Sequence, residues 1–173
     1  MRHSTMWAMS RLVLVVHNVR SALNVGSILR TAEGLGVEKV FLTGYTPYPE
    51  TPGDGRLPHL RQKMSRQIHK TALGAEYFVG WQHIEDINAC LDKLEADGYL
   101  IVALEQTPHS KSLSDYSKQK RLVLVVGNEV SGLDKSLLER IKNHVQIPMR
   151  GRKESFNVAI AAAVAVYHLR YLS

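Results

Sequence analysis

Cysteine is nearly absent from this sequence, because Cys90 is the only one among 173 residues. One cysteine excludes an internal disulfide framework and fits a reducing, cytoplasmic location. The surrounding stretch Asp-Ile-Asn-Ala-Cys-Leu-Asp-Lys-Leu predicts that Cys90 is a packed helix residue and not a nucleophile.

Metal-ligand spacing and long apolar runs are missing as well. No histidine or cysteine pair has the spacing of a metal site, and no histidine is placed for a catalytic triad. We therefore expect no metal, and we interpret four histidines as core or surface residues: His17, His69, His144 and His168. No run approaches the length of a membrane span, and residues 1–10 lack the apolar segment of a signal peptide. The sequence thus predicts a soluble protein with no membrane partner, in which a flexible leader (residues 1–10) precedes one domain (residues 11–173).

What the sequence does contain is an excess of positive charge. Lysine and arginine number 22 against 16 aspartate and glutamate residues, which gives a formal net charge of +6 and a pI near 9.5. Basic residues are concentrated in two segments, 56–70 and 150–153. A polyanionic partner is therefore expected, with nucleic acid as the first candidate.

Short apolar runs alternate with amphipathic stretches along the chain. The runs predict strands at residues 12–16, 39–42, 77–80, 99–104, 121–126 and 144–147. A helix is expected from about residue 25 to residue 34, and two further helical stripes consist of Ile84, Ile87, Leu91 and Leu94, and of Leu133, Leu137, Leu138 and Ile141. This alternation is typical of a single-domain α/β fold, with a mostly parallel sheet and helices on both faces.

Two segments have more than one interpretation. The proline-rich stretch 44–58 is interpreted as a mobile substrate-side loop, although disorder without function fits nearly as well. The alanine-rich segment 156–172 is apolar almost all round through Val166, which predicts a buried helix. The small side chains of this helix fit either a dimer interface or an ordinary core helix.

Polar residues stand beside three of the apolar segments. They are Asn24 and Arg30 after the first run, Gly127 and Glu129 after a later one, and Ser155 and Asn157 before the last helix. Taken singly, Asn24 is interpreted as a helix N-cap and Arg30 as a solvated charge. Because the carboxyl ends of parallel strands meet at one edge of a sheet, the clusters together predict a single ligand site.

The chemistry of this predicted site follows from its residue types. The cluster at Glu129 lacks the glycine spacing of a dinucleotide fingerprint and the Lys-Ser/Thr pair of a phosphate loop. A carboxylate there suits a cationic or hydroxyl-bearing ligand better than a phosphate. The stretch Ile147-Pro-Met149 fits an apolar wall for an adenine ring, and Ser155 and Asn157 add a hydroxyl and an amide.

Four stretches of the sequence together resemble a known enzyme family. They are His17-Asn-Val-Arg-Ser-Ala-Leu-Asn-Val-Gly-Ser-Ile-Leu-Arg-Thr-Ala-Glu, Lys70-Thr-Ala-Leu-Gly-Ala-Glu, Gly127-Asn-Glu-Val-Ser-Gly-Leu and Ile147-Pro-Met-Arg-Gly-Arg-Lys-Glu-Ser-Phe-Asn-Val. They closely resemble the SpoU, or TrmH-like, branch of the SPOUT RNA methyltransferases, over nearly the whole chain. Two positions differ, because Phe156 and Ala159 stand where this family often has a leucine and a serine.

This resemblance implies a ribose 2'-O-methyltransferase that uses S-adenosylmethionine. It also implies a deep trefoil knot in the C-terminal part and an active site formed at a homodimer interface. Carried over by motif, the residues at the target ribose are Asn24, Arg30, Glu129, Ser155 and Asn157. The main chain near five further residues would hold the cofactor: Leu104, Gly127, Ile147, Met149 and Phe156.

In this family the residue matching Arg30 is assigned as the general base, which is physically awkward. The pKa of arginine is normally above about 12, so the side chain stays protonated. Two versions remain open. Either a dry site and the phosphate of the ligand help Arg30 to accept the proton, or Arg30 only orients the nucleotide and the proton leaves by phosphate or water.

The expected partner is a structured RNA. Transfer RNA is favoured over ribosomal RNA, because a compact dimer without added domains suits a small substrate. Contacts to the RNA are expected from Arg30, Arg61, Lys63, Arg66 and Arg150. Two alternatives stay open: a non-catalytic RNA-binding or assembly factor with the same fold, and a base-methylating enzyme of the same superfamily.

Overall fold

A computed structural model describes residues 10–117 and 119–172. Its elements follow each other as β1 (Arg11–His17), α1 (Ala22–Gly34), β2 (Lys39–Thr43), α2 (Pro58–Ala72), β3 (Trp81–Ile84), α3 (Ile87–Ala96), β4 (Leu100–Leu104), β5 (Lys111–Ser112), β6 (Arg121–Val126), α4 (Lys135–Arg140), β7 (Asn143–Gln146) and α5 (Val158–Tyr171). The seven strands form one sheet in the order β3-β2-β1-β6-β4-β7-β5. Every strand pair in this sheet is parallel, which confirms the predicted α/β class.

The central strands β1 and β6 are buried on both faces. Along β1, Leu12, Leu14 and Val16 belong to one core cluster, whereas Val13 and Val15 belong to a second. The first cluster also contains residues of α1, α2 and α5, and the second contains residues of α3 and α4. Side chains alternate between the faces of a strand, so this division confirms that helices cover both faces of the sheet.

Five of the six predicted strands lie within two residues of observed ones, and the strand predicted at 77–80 is wrong. A short 3₁₀ turn occupies Ala75–Tyr77, and β3 begins only at Trp81. Tyr77 and Phe78 are 77% and 79% exposed, so their aromatic character does not reflect burial in a strand. The two-residue strand β5, Lys-Ser, was not predicted because it contains no apolar residue.

Three local predictions about the helices are also wrong. The N-cap of α1 is Ser21, whose side chain accepts a hydrogen bond from the Asn24 amide, so Asn24 lies within the first turn. Ile84 ends β3 instead of beginning the α3 stripe, because Asp86 caps α3. Asp134 caps α4 in the same way, which leaves Leu133 just before that helix.

Helix α2 was not predicted as a separate element, yet it packs closely against α1. A Cβ atom on Gly26 would lie 2.2 Å from the Ile68 carbonyl oxygen and 2.2 Å from Thr71 Oγ1. Thr71 Oγ1 also donates a 2.8 Å hydrogen bond to the Leu23 carbonyl. Gly26 is therefore required for the close approach of the two backbones.

Helix α5 is only partly buried, which corrects the prediction of a buried helix. Ala162, Ala165 and other small residues face the core. An opposite stripe is exposed and apolar: Ile160 is 53% exposed, Val164 41%, Tyr167 51% and Tyr171 59%. These residues are spaced by four, three and four positions, so they share one face of the helix.

Cys90 and His17 behave as predicted. Cys90 is buried on α3, and burial raises the pKa of its thiol to about 11, so it is a packed residue without nucleophilic character at neutral pH. His17, the last residue of β1, is buried. Its Nδ1 lies 2.9 Å from Thr43 Oγ1 and its Nε2 lies 2.9 Å from Asn18 Nδ2.

The proline-rich stretch predicted as a mobile loop carries its own bonded network. The Arg56 guanidinium pairs with Asp54 and lies 3.6 Å over the Tyr48 ring, which stacks on His83 at 4.0 Å. Hydrogen bonding from Arg56 holds the pKa of the Asp54 carboxyl well below its usual range. At the end of the stretch, Pro58 begins α2.

Four expectations concern what the chain lacks or what lies at its ends. Within residues 10–117 and 119–172, no helix is long and apolar enough to span a membrane, and no group of acidic, histidine or cysteine side chains forms a metal site. Apart from Ser10, the expected leader lies outside the described residues. The C-terminal knot stays a prediction.

Candidate functional site

The carboxyl ends of the central strands surround a cavity of about 150 Å³ that is partly open to solvent. Segments that follow β4, β6 and β7 line it, together with the start of α5. Six of its lining residues were predicted at the site: Leu104, Gly127, Glu129, Ile147, Ser155 and Phe156. This location, beyond the strand ends of a parallel sheet, is the usual place for ligands in α/β folds.

Glu129 receives hydrogen bonds from three groups near the start of α1. Its carboxylate accepts from the Arg20 amide at 2.9 Å, the Ser21 amide at 3.1 Å and Asn24 Nδ2 at 2.8 Å. Burial acts to raise the pKa of Glu129, but these hydrogen bonds and one from its own amide outweigh it, so the pKa is lowered. Glu129 therefore remains an anion that braces α1, and it is a poor proton acceptor.

Asn24 is fixed between Glu129 and the last helix. While Asn24 Nδ2 donates to Glu129, Asn24 Oδ1 accepts from Asn157 Nδ2 at 3.2 Å. Asn157 caps α5, as predicted, and its Oδ1 accepts from the Ala159 amide at 2.9 Å. The orientation of both side-chain amides follows from these partners. Within the described part of the chain, the second hydrogen of Asn24 Nδ2 has no acceptor.

The loop after β6 is folded tightly against the cavity. Asn128 and Gly132 exchange backbone hydrogen bonds of 3.1 and 3.0 Å. A Cβ atom on Gly127 would lie 2.7 Å from the Gly132 backbone, and Gly132 itself has φ +65°. Both positions therefore require glycine, because a side chain would collide or strain the turn.

Glu105 is a site residue that the sequence did not reveal. It follows β4, lines the cavity, and accepts a 3.0 Å hydrogen bond from the Leu133 amide, which ties it to the loop after β6. The available signal was its place directly after a buried strand, beside Leu104. Together with Glu129, it gives the cavity two carboxylates.

Arg30 and Met149 do not line this cavity. Met149 is half-buried outside it. Arg30 is exposed and lines a second cavity of about 690 Å³, also open to solvent, between the end of α1 and α5. Val164 and Tyr167 of the exposed apolar stripe line the same cavity. In a single chain, Arg30 therefore lies outside the first cavity that Glu129 and Ser155 line. Asn24 and Asn157 are not among the lining residues of that cavity either, but they are hydrogen-bonded to Glu129 and to each other.

Four of the five residues predicted to contact RNA are exposed, and the fifth, Arg61, is half-buried. Lys63 and Arg66 are exposed on α2, a helix that contains four basic residues and no acidic one. Arg61 is partly neutralised, because its Nε lies 2.8 Å from Glu50 Oε1. Arg150 is exposed in the segment between β7 and α5.

Comparison with known proteins gives consistent matches. The SpoU rRNA methylase family model matches residues 56–167. The chain is 31% identical over 165 residues to the Bacillus subtilis 23S rRNA (guanosine(2553)-2'-O)-methyltransferase RlmP, covering 94% of this chain and 59% of the relative. It is 25% identical over 160 residues to the Borreliella burgdorferi tRNA (guanosine(18)-2'-O)-methyltransferase, covering 91% and 65% respectively.

A solved structure has the same fold. The AdoMet-bound rRNA methyltransferase from Sinorhizobium meliloti superposes with a TM-score of 0.78 at 24% identity, over 95% of this chain and 58% of that one. The present chain thus spans between about half and two thirds of the length of these proteins.

Proposed function

The chain belongs to the SpoU rRNA methylase family, and from that membership we propose that it methylates a ribose 2'-hydroxyl of a structured RNA with S-adenosylmethionine as donor. The observation that carries this proposal is the Glu129–Asn24–Asn157 network beside the first cavity. The network offers oriented amide groups next to an open pocket at the strand ends. Residues 11–173 would form the methyltransferase domain.

The first cavity fits S-adenosylmethionine in its chemistry. Apolar side chains of Leu104, Ile147 and Phe156 suit the adenine ring. The carboxylates of Glu105 and Glu129 suit the positive charges of the sulfonium and the ammonium group. When bound, the cofactor would supply an activated methyl group. Backbone atoms at Gly127 are proposed as a further contact, whereas Met149 lies outside the lining of this cavity.

The Asn24 amide is proposed to hold the target hydroxyl. Its second Nδ2 hydrogen has no partner in the part of the chain that the structure describes, so it can donate to a ribose oxygen. Glu129 and Asn157 keep that amide in one orientation, and Ser155 lines the neighbouring cavity. A fixed acceptor oxygen favours the in-line approach that methyl transfer needs.

Arg30 is proposed to complete the site in a homodimer. The exposed apolar stripe of α5 borders the cavity that Arg30 lines. A second copy of the chain would cover this stripe and bury Arg30 at the subunit interface. There Arg30 would either accept the hydroxyl proton with help from a phosphate or orient the nucleotide while the proton leaves by phosphate or water.

The basic surface supports an RNA substrate. Lys63, Arg66 and Arg150 are exposed, and phosphate contacts from such residues add affinity without reading sequence. A 2'-hydroxyl acceptor restricts the substrate to RNA. The two relatives named above act on ribosomal RNA and on transfer RNA. The preference for transfer RNA therefore stays a prediction.

Calorimetric titration with S-adenosylmethionine separates the enzyme from a non-catalytic RNA-binding factor. We expect the wild type to bind the cofactor and Arg30→Ala to bind it within about threefold, because Arg30 lies outside the first cavity. Ala161→Phe should weaken binding at least about tenfold, since Ala161 lines that cavity.

A thermal melt of each variant controls for misfolding. Absence of binding by a folded wild-type protein would reject the proposal in favour of the non-catalytic factor. Retained binding by a folded Ala161→Phe variant would place the cofactor elsewhere.

The competing base-methylating activity is tested by the nature of the product, because a base methyltransferase would leave the ribose unmodified.

A further inference from the structure

Tyr45 is an exposed aromatic residue that stands beside the first cavity. It follows β2 through Gly44, which has φ +64°, and 62% of its surface is exposed. An exposed tyrosine on a loop ordinarily rotates freely. The Tyr45 side chain and backbone are instead both held by hydrogen bonds from neighbouring segments.

Asn128 fixes the phenol end of Tyr45. Asn128 Nδ2 donates to Tyr45 Oη at 2.9 Å and to the Asn18 carbonyl at 3.0 Å. Asn128 Oδ1 accepts from the Val130 amide at 2.8 Å and the Ser131 amide at 3.0 Å. All hydrogen-bonding positions of this side-chain amide are thus used, and its orientation is unambiguous.

The backbone of Tyr45 is held as well. Its amide donates to Asn18 Oδ1 at 3.1 Å, and Asn18 Nδ2 lies 2.9 Å from His17 Nε2. Since Asn18 Nδ2 can only donate, His17 Nε2 is the acceptor, so the ring is neutral, and burial lowers its pKa accordingly. Ring and backbone of Tyr45 are therefore positioned before any ligand arrives, which reduces the entropy lost on binding.

This positioning connects Tyr45 to the proposed ribose site. Asn128, which holds the phenol, lines the first cavity, and the next residue is Glu129, which braces Asn24. Tyr45 is thus joined, through the adjacent residues Asn128 and Glu129, to the segment that holds Asn24. The hydroxyl of Tyr45 accepts from Asn128, and its own proton has no acceptor among the described residues.

We propose that Tyr45 is the platform on which the base of the target nucleotide stacks, with its hydroxyl free to donate a hydrogen bond to that nucleotide. Sequence-specific RNA recognition relies on unpaired bases that stack on aromatic rings. Arg20 adds an exposed cation near the site, because its amide donates to Glu129. This inference rests on the proposed function and names the group that receives the base.

Three variants test the platform: Tyr45→Ala removes the ring, Tyr45→Phe keeps it, and Tyr77→Ala removes an exposed tyrosine elsewhere. Two readouts are needed, the steady-state rate of methyl transfer and filter binding, both with unmodified transfer RNA and ribosomal RNA transcripts. Loss of one base–aromatic stack corresponds to about tenfold or more in affinity. We expect Tyr45→Ala to raise the KM and Kd for RNA by that factor, with Tyr45→Phe within about threefold of wild type.

Calorimetry with S-adenosylmethionine separates base stacking from a structural role. The inference stands if Tyr45→Ala binds the cofactor like wild type and Tyr77→Ala behaves like wild type in every assay. It is overturned if Tyr45→Ala leaves RNA binding unchanged, if Tyr45→Phe is as defective as Tyr45→Ala, or if cofactor affinity falls in parallel. A wild type that binds RNA without methylating it would reject the proposed function, whereas the filter-binding comparison would still decide the role of Tyr45.

Discussion

Glu129, Asn24 and Asn157 come from three distant parts of the chain and are joined at one edge of the sheet. Each was predicted as a polar residue beside an apolar segment, because residue type and position at a strand or helix end are visible in the sequence. Their partners were not visible. The Glu105 carboxylate and the Asn128–Tyr45 contact involve segments far apart in sequence.

Replacing Glu129 by glutamine tests whether the hydrogen bonds that its carboxylate accepts from the start of α1 are needed for methyl transfer. Glutamine has one acceptor oxygen, so the Arg20 and Ser21 amides and Asn24 cannot all be satisfied. We expect kcat for methyl transfer to fall at least about tenfold, since hydrogen bonds to a charged group are the stronger kind. Cofactor affinity measured by calorimetry serves as the internal control.

The same variant has a characteristic pH dependence. The folded protein lowers the pKa of Glu129 from its ordinary value of 4.5, so the stabilisation by its carboxylate is complete above that value and lost as pH falls through the lower folded value. Urea unfolding should therefore show a larger stability difference between wild type and Glu129→Gln at pH 7 than at pH 4. An equal stability difference at both pH values would contradict the claim that the ionised carboxylate of Glu129 stabilises the fold.

Helix α5 shows what an element-scale pattern can and cannot predict. Its alanine- and valine-rich sequence predicted a helix, and a helix was found. Because the segment is apolar almost all round, its sequence could not distinguish the face that meets the core from the face that meets a partner. The same limit explains the wrong strand prediction at residues 77–80. Tyr77 and Phe78 are apolar aromatic residues typical of strands, but both are exposed.

A charge placed in the exposed stripe of α5 should disrupt the proposed homodimer. Val164 is 41% exposed in the single chain, and Val164→Glu would put a carboxylate into an apolar interface. We expect the wild type to sediment as a dimer and Val164→Glu as a folded monomer. Phe78→Glu, at a residue 79% exposed away from α5, is the matched control and should remain dimeric. A dimeric Val164→Glu variant would locate the interface elsewhere.

At the scale of the whole molecule, the alternation of apolar runs with amphipathic stretches was sufficient to predict the parallel α/β fold. Strand order was not predicted, because β1 pairs with β2 and β6 through contacts that no local pattern records. The separation of Arg30 from the first cavity was also unexpected, since the sequence places it six residues after Asn24 on the same helix. A second subunit resolves that separation in the proposed enzyme.

Nucleoside mass spectrometry of unmodified transfer RNA and ribosomal RNA, incubated with S-adenosylmethionine and the protein, tests the central claim most directly. We expect the wild type to produce 2'-O-methylated nucleosides. Arg30→Ala, which should retain cofactor binding, is expected to lose most of this product. A gain in base-methylated nucleosides, or no methylated product from a protein that binds both cofactor and RNA, would contradict ribose methylation.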